Sequence, residues 1–205
     1  METDDLDFRL GESESQAFVQ NLENAAEIAR TLTAFANTCD GKLIVGLKSN
    51  GKVTGIFPDE ELDRLKNIIL AENLHLNYET KILAIGFRFV LIIYVEKSNT
   101  RPHFSRNELG KKEACIRVGK QNIPANKILL STWKYENATQ PTTLSPDEYQ
   151  LIELIKENSN ISLTQIYKKS QIPINIVDYS LVRLINWNII EIKTTEKGCF
   201  FGVQQ

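Results

Sequence analysis

The sequence predicts an α/β domain followed by a winged helix-turn-helix, and three observations carry that expectation. Residues 33–47, TAFANTCDGKLIVGL, run from the end of an amphipathic helix through a tight turn into a short apolar strand. Residues 136–145, ENATQPTTLS, form a polar, proline-containing break without periodicity. The remainder holds three helix-like segments, two of them opened by capping boxes, and then two strand-like runs around a turn. With 205 residues, 42% hydrophobic and 24% charged, the chain can bury a core in each part. The expected domains are 1–135 and 145–205, joined by a linker at 136–144.

Residues 1–24 carry seven acids and one base, Arg9, and predict a solvated arm over residues 1–10. Phe18 and Val19 are the first expected buried contacts. Leu22, Ala25, Ala29, Leu32, Phe35 and Ala36 recur at spacings of three and four, a helical stripe that Asn37 and Thr38 stop. Asp40-Gly41 turns the chain, and Leu43-Ile44-Val45 suits a strand covered on both faces. Ser49-Asn50-Gly51 supplies a hairpin-type turn before Val53-Thr54-Gly55-Ile56. Pro58 with Asp59, Glu60 and Glu61 suits a helix first turn, and Leu62, Leu65, Ile68 and Ile69 give that helix a buried stripe ending near Asn73. Residues 82–87 and 89–95 read as strands; the second, FVLIIYV, is apolar throughout and therefore central in a sheet. Residues 114–118 make a further short strand.

In the last part, Ser145-Pro146-Asp147-Glu148 is a capping box with proline at the first helical position, followed by Leu151, Ile152 and Ile155 on one face. A second box, Ser162 to Gln165, opens a short helix through Lys169. Asn175 is expected to cap a third helix whose stripe is Val177, Leu181, Leu184 and Ile185. Residues 189–193 and 199–203 make a hairpin around 194–198. Three helices and a terminal hairpin are the order of a winged helix-turn-helix, with the third helix in the recognition position.

A net charge of −2 neither requires nor excludes a nucleic-acid partner, because the distribution of charge decides. Residues 97–134 hold nine bases against two acids, which is either a solvated face or a surface for phosphate. The acidic N-terminal arm is an alternative, intramolecular partner for it. Candidate phosphate contacts are Arg101, His103, Arg106, Lys111, Lys112, Arg117 and Lys120. Lys168, Lys169 and Arg183 are the candidates in the second domain. Residues 161–205 hold only five bases against three acids, so the third helix serves either duplex reading or protein docking and dimerisation.

Other chemistries lack their residues. His75 and His103 are the only histidines and stand at no metal-ligand spacing with a cysteine, no GxxxxGK[ST] loop occurs, and no Ser/His/Asp arrangement can be named. No catalytic residue, metal ligand or cofactor is assigned. Trp133 and Trp187 are expected in core or interface, and Cys39 as a small buried residue. No apolar run approaches the ~20 residues of a membrane span. An acidic N-terminus unsuited to a signal peptide and three cysteines without a CxxC pair predict a cytoplasmic protein.

The first domain resembles the Schlafen-type AlbA-like domain, a module associated with DNA binding in many bacterial regulators and in the Schlafen proteins. Gly11-Glu12-Ser13 with Phe18 resembles the family's G-E-S…E-F-K opening. Ala34-Phe35-Ala36-Asn37-Thr38 with Gly41, Ile44 and Gly46 resembles its A-F-A-N-T-x-G-G…L-I-G-V signature, and Gly51 with Gly55-Ile56 its continuation. Ser98, Arg101-Pro102-His103 and Ile116-Arg117-Val118-Gly119 resemble its later elements. The resemblance spans about 11–130. It implies an α+β fold with a mixed sheet, commonly followed by a winged helix; the signature residues are Glu12, Phe35, Asn37, Gly41 and Gly46. The family is also often labelled ATP-binding, for which this sequence has no phosphate loop.

Some Schlafen members are endoribonucleases that hold a divalent metal with three acids, two in the opening motif and one after the L-I-G-V strand. Carried over by position, the first acid is Glu12. The second falls on Ala17, the lysine after it on Val19, and the acids after the strand on Lys48 and Ser49. Neither alanine nor serine replaces a carboxylate ligand. The resemblance so amended implies a non-catalytic nucleic-acid-binding regulator of transcription, homodimeric, favouring DNA with RNA as the alternative, and with no membrane partner. Two other readings stay open: a metal-dependent endoribonuclease with relocated ligands such as Glu14 or Asp40, and a protein-interaction module.

Overall fold

The structure, a computed structural model, describes residues 11–136 and 143–204. The predicted arm at 1–10 and most of the predicted linker, 137–142, lie outside the described residues. The chain divides into two compact units, Met1–Ala125 and Asn126–Gln205.

In the first unit, β1 (Gln16–Val19), α1 (Ala25–Thr38) and β2 (Gly41–Val45) make a crossover that leaves β1 parallel to β2. Then come α2 (Pro58–Glu72), β3 (Tyr78–Ile85) and β4 (Arg88–Val95), an antiparallel hairpin completing a mixed sheet of order β1-β2-β4-β3. Two small ladders follow: β5 (Ser105–Arg106) with β6 (Lys112–Glu113), and β7 (Cys115–Val118) with β8 (Gln121–Pro124). Residues 43–45 of β2 and 90–93 of β4 are continuously apolar because both faces are covered there. Leu43, Val45, Leu91 and Ile93 pack with Leu32, Phe35, Leu65 and Ile68 on the helix side, and Ile44, Val90 and Ile92 pack with Phe18 and Leu47 on the other.

Helix α1 is opened by Asn24, whose side chain accepts the Glu27 N–H, and it buries Ile28, Ala29, Leu32, Phe35 and Ala36. Two members of the predicted stripe sit otherwise. Ala25 is exposed in the first turn, and Leu22 is buried ahead of the helix. The Leu22 N–H is accepted at 2.8 Å by the buried carboxylate of Glu61, which also pairs with Arg64. An acid expected only to favour a helix N-terminus therefore ties α2 to the segment before α1. The turn at 49–51 forms, but beyond it only the isolated bridges Leu47–Val53 and Ile56–Phe89 occur rather than a strand over 53–56. Strand β3 begins four residues before its predicted start and reverses at Gly86 and Phe87, since polar Tyr78–Lys81 pair with the apolar β4.

In the second unit, α3 (Lys127–Lys134), α4 (Pro146–Glu157), β9 (Ile161–Ser162), α5 (Leu163–Ser170) and α6 (Ile174–Asn186) precede the hairpin of β10 (Ile190–Thr195) and β11 (Gly198–Val203). The sheet is antiparallel in the order β10-β11-β9. Both capping boxes form, at Ser145/Glu148 and Ser162/Gln165. Asn175 does not cap α6: the helix starts at Ile174 behind Pro173, so Asn175 lies in its first turn. Leu151, Ile155, Ile166, Val177, Leu181, Leu184 and Phe201 form the core.

The boundary also differs from the expected 135. Helix α3 belongs to the second unit, where Ile128 joins the core and Asn126 caps the helix by accepting the Leu129 N–H. It runs along α6. Lys127 pairs with Asp178 at 2.6 Å at one end, and Asn186 donates to the Tyr135 carbonyl at 3.2 Å at the other. Among the described residues no helix is long and apolar enough to cross a membrane.

Candidate nucleic-acid interface

The residues of the A-F-A-N-T stretch act first on the backbone. The buried amide of Asn37 donates to the carbonyls of His103 and Cys115, both at 2.9 Å, and accepts the His103 N–H at 2.8 Å. Beside it the Thr38 hydroxyl accepts the Arg117 N–H at 2.9 Å. One helix end thus holds both the 101–106 loop and β7. Gly41 has no room for a side chain, because a Cβ there would lie 2.2 Å from the Phe35 ring. Gly46 takes a φ of +102°, which glycine tolerates, while its N–H reaches the Val19 carbonyl at 2.8 Å and extends the β1–β2 pairing.

Beside β1 lies a cleft of about 630 Å³ whose lining includes Glu12, Ala17, Val19, Ser49 and Lys120. It gathers most of the positions onto which the family's metal-site motif falls; Lys48 lines a neighbouring recess. The donors there do not suit a divalent ion. Glu12 accepts the Phe18 N–H at 3.2 Å, and the companion positions offer a methyl, an isopropyl and a hydroxyl. Glu27 and Glu108 also line the cleft, yet among the described residues no three His, Cys, Asp or Glu side chains stand together as a metal site. Asp40 accepts the Lys97 N–H at 2.7 Å, and Glu14 is exposed.

The predicted phosphate contacts separate into three groups. Arg117 is only 3% exposed. Its guanidinium donates to the Ser13 carbonyl at 3.2 Å, the Gln16 carbonyl at 3.4 Å and Asn122 Oδ1 at 3.1 Å, and stands 5.6 Å from the Phe35 ring centroid. Burial pulls its pKa below the ordinary value, opposed by the Glu12 carboxylate. Arg117 is therefore a clamp on β1 and not a surface cation, which corrects its assignment. Arg101 and His103 are half-buried; Arg101 donates to the Asn37 carbonyl at 3.4 Å. Burial, and then His75, lower the His103 pKa, and His103 Nε2 is buried with no hydrogen-bond partner among the described residues.

The remaining four, Arg106, Lys111, Lys112 and Lys120, are exposed. Arg106 and Lys112 face each other across the β5–β6 ladder. Together with Glu72, His75, His103 and Phe104 they line a second cleft of about 210 Å³. The β5–β6 hairpin divides the two clefts: its Asn107 and Glu108 line the larger, its Arg106 and Lys112 the smaller.

In the second unit Arg183 is also buried, at 7% exposure. It pairs with Glu148 at 3.0 Å, lies 4.6 Å from the Trp187 ring centroid and donates to the Thr143 carbonyl at 3.3 Å. The predicted cation of the third helix is a core staple and is not available to a phosphate. Lys168 and Lys169 are exposed on α5, the latter bonded to Asn158. At 100° per residue, Asp178, Val182 and Asn186 lie along one flank of α6, whereas Asn175 and Tyr179, across from its core stripe, are exposed. That flank meets α3, through the Lys127 and Tyr135 contacts at its ends and the buried Val182 between them. Sequence reasoning missed this because it placed residues 127–134 in the other domain.

Comparison with known proteins returns one family, Schlafen, AlbA_2, whose model matches residues 2–126. No curated protein matches. Among solved structures, the DIP2311 protein from Corynebacterium diphtheriae is similar at 21% identity with a TM-score of 0.44, over 67% of this chain and 30% of that one. The present chain thus corresponds to less than a third of that protein's length. Matched over more than half its residues, the chain belongs to the Schlafen AlbA_2 family.

Proposed function

We propose that this protein binds nucleic acid through the phosphate backbone, without cleaving it, at the cations around the β5–β6 hairpin. The observation that carries this reading is the grouping of Arg106, Lys111 and Lys112 on one exposed hairpin between two clefts, with Lys120 on the larger cleft. Such cations supply sequence-independent affinity by displacing counterions from phosphates. The replacement of carboxylates by Ala17 and Ser49, and of the motif's lysine by Val19, in the larger cleft favours holding over cutting. Duplex DNA is the favoured ligand, with RNA the alternative, and the role is a cytoplasmic regulator of transcription acting as a homodimer.

The second unit is read as a winged helix, supported by its order of β9, α5, α6 and the β10–β11 hairpin. With Arg183 buried and α3 along one flank of α6, the candidate cations left to this unit are Lys168 and Lys169. The open side of α6 presents Asn175 and Tyr179 and no cation, which favours a docking role for this unit over direct base reading.

The test is a salt titration of binding to duplex DNA, single-stranded DNA and structured RNA. Each neutralised phosphate contributes about −0.9 to the slope of log K against log salt. Lys111→Glu with Lys112→Glu should therefore flatten the duplex slope by about two. An unchanged slope and affinity overturns this surface. Cleavage of RNA in the presence of Mn²⁺ that Glu12→Ala abolishes would replace the reading with the endoribonuclease one.

A further inference from the structure

The two edges of the mixed sheet are built differently. Strand β1 is four residues long, and its Gln16 carbonyl is taken by the Arg117 guanidinium. Strand β3 is eight residues long, closes the sheet order on the other side, and pairs among the described residues with β4 alone. Among the described residues no strand pairs with the other backbone edge of β3. Exposed strand edges of this length pair readily with another strand.

We propose that β3 is the homodimer interface, pairing antiparallel with the same strand of a second copy about a two-fold axis at Thr80. The inference rests on the homodimer part of the reading above and not on nucleic-acid binding. A two-fold axis normal to the sheet keeps residues of like parity opposite each other, so the register is defined by the residue on the axis. With Thr80 there, Glu79 faces Lys81 of the second copy, and Tyr78 faces its Ile82, each pair occurring twice. Placing Glu79 or Lys81 on the axis would set like charges against each other. Placing Ile82 there leaves both charges opposite uncharged residues.

The apolar surface agrees with that register. Tyr78, Thr80, Ile82 and Ala84 share the helix-side face, because Ile82 pairs with Leu91 and Ala84 with Phe89 in the ladder. On that face Tyr78 is 36%, Ile82 45% and Phe89 46% exposed. The two-fold axis brings both copies' strips to the same side of one continuous eight-stranded sheet. A lysine in an edge strand disfavours pairing with an arbitrary strand, whereas the Thr80 register gives it a glutamate.

Sedimentation velocity across a concentration series tests this with four samples. Wild type should dimerise. Glu79→Lys and Lys81→Glu should each raise the dimer dissociation constant roughly ten- to hundredfold, because two attractive pairs become repulsive. An equimolar mixture of these two variants should form a heterodimer, and the combined Glu79→Lys/Lys81→Glu chain should regain the wild-type constant, which a general folding defect would not allow. A monomeric wild type, or single variants that dimerise as wild type does, overturns the proposal. Neither result alters the salt slope on DNA, so failure here is distinguishable from failure of nucleic-acid binding.

Discussion

Replacing Asn37 by alanine should loosen the first unit more than most single substitutions. Its amide makes three hydrogen bonds in the protein interior, two to carbonyls and one from the His103 N–H. At about 1 kcal/mol net for each bond, and with three buried polar groups left unsatisfied, the loss should be about 3–4 kcal/mol. For a domain with about 5–15 kcal/mol of stability and a urea slope of about 1–2 kcal/mol per molar, the midpoint should fall by about 1.5–4 M. Urea titration followed by far-UV circular dichroism reads this. Tryptophan fluorescence serves as the internal control, since Trp133 and Trp187 both lie in the second unit. Asn37→Asp keeps the shape and the acceptor for His103, but sets a carboxylate oxygen against two carbonyls. At neutral pH it should be at least as damaging as alanine, and protonation at low pH should relieve part of the loss. A loss below about 1 kcal/mol for Asn37→Ala, or an aspartate better tolerated than alanine at pH 7, would refute the clamp.

Arg183→Met strands the buried Glu148 carboxylate and should cost the second unit about 3–5 kcal/mol, with a change in tryptophan emission because the guanidinium lies 4.6 Å from Trp187. Adding Glu148→Gln, which keeps an acceptor for the capping box, should recover much of that loss in the same denaturation assay. His103 should titrate below its ordinary 6.5 when followed by NMR, because burial and then His75 disfavour its charged form. Protonation then favours the unfolded chain: the first unit should be fully stable above pH 6.5 and lose stability as the pH falls from there through the folded pKa. His103→Gln should remove that part of the dependence in urea midpoints taken from pH 5 to 8.

Where local chemistry decides an element, the sequence was legible. The two capping boxes, the proline-led start of α2 and the continuous apolar run of β4 reappear where their patterns place them. Strand β1 was not legible, because four residues without alternation form a strand only when β2 arrives beside them through a crossover. The polar start of β3 was hidden for a related reason: its order comes from β4, not from its own residues. Among the candidate cations, charge could be counted but accessibility could not. Arg106, Lys111, Lys112 and Lys120 are exposed, whereas Arg117 and Arg183, alike in sequence, are buried by partners about a hundred and about thirty-five residues away.

The sequence by itself determined five of the described helices, the terminal hairpin and the family to which the chain belongs, because caps, periodicity and glycine turns act over a few residues. Tertiary structure alone decided that the family's Asn37 is a clamp, that α3 lies on α6, and that β3 stands last in the sheet order. Each of those depends on which distant groups meet. Burial, ion pairing and strand edges are properties of such meetings and are written in no single stretch of the chain.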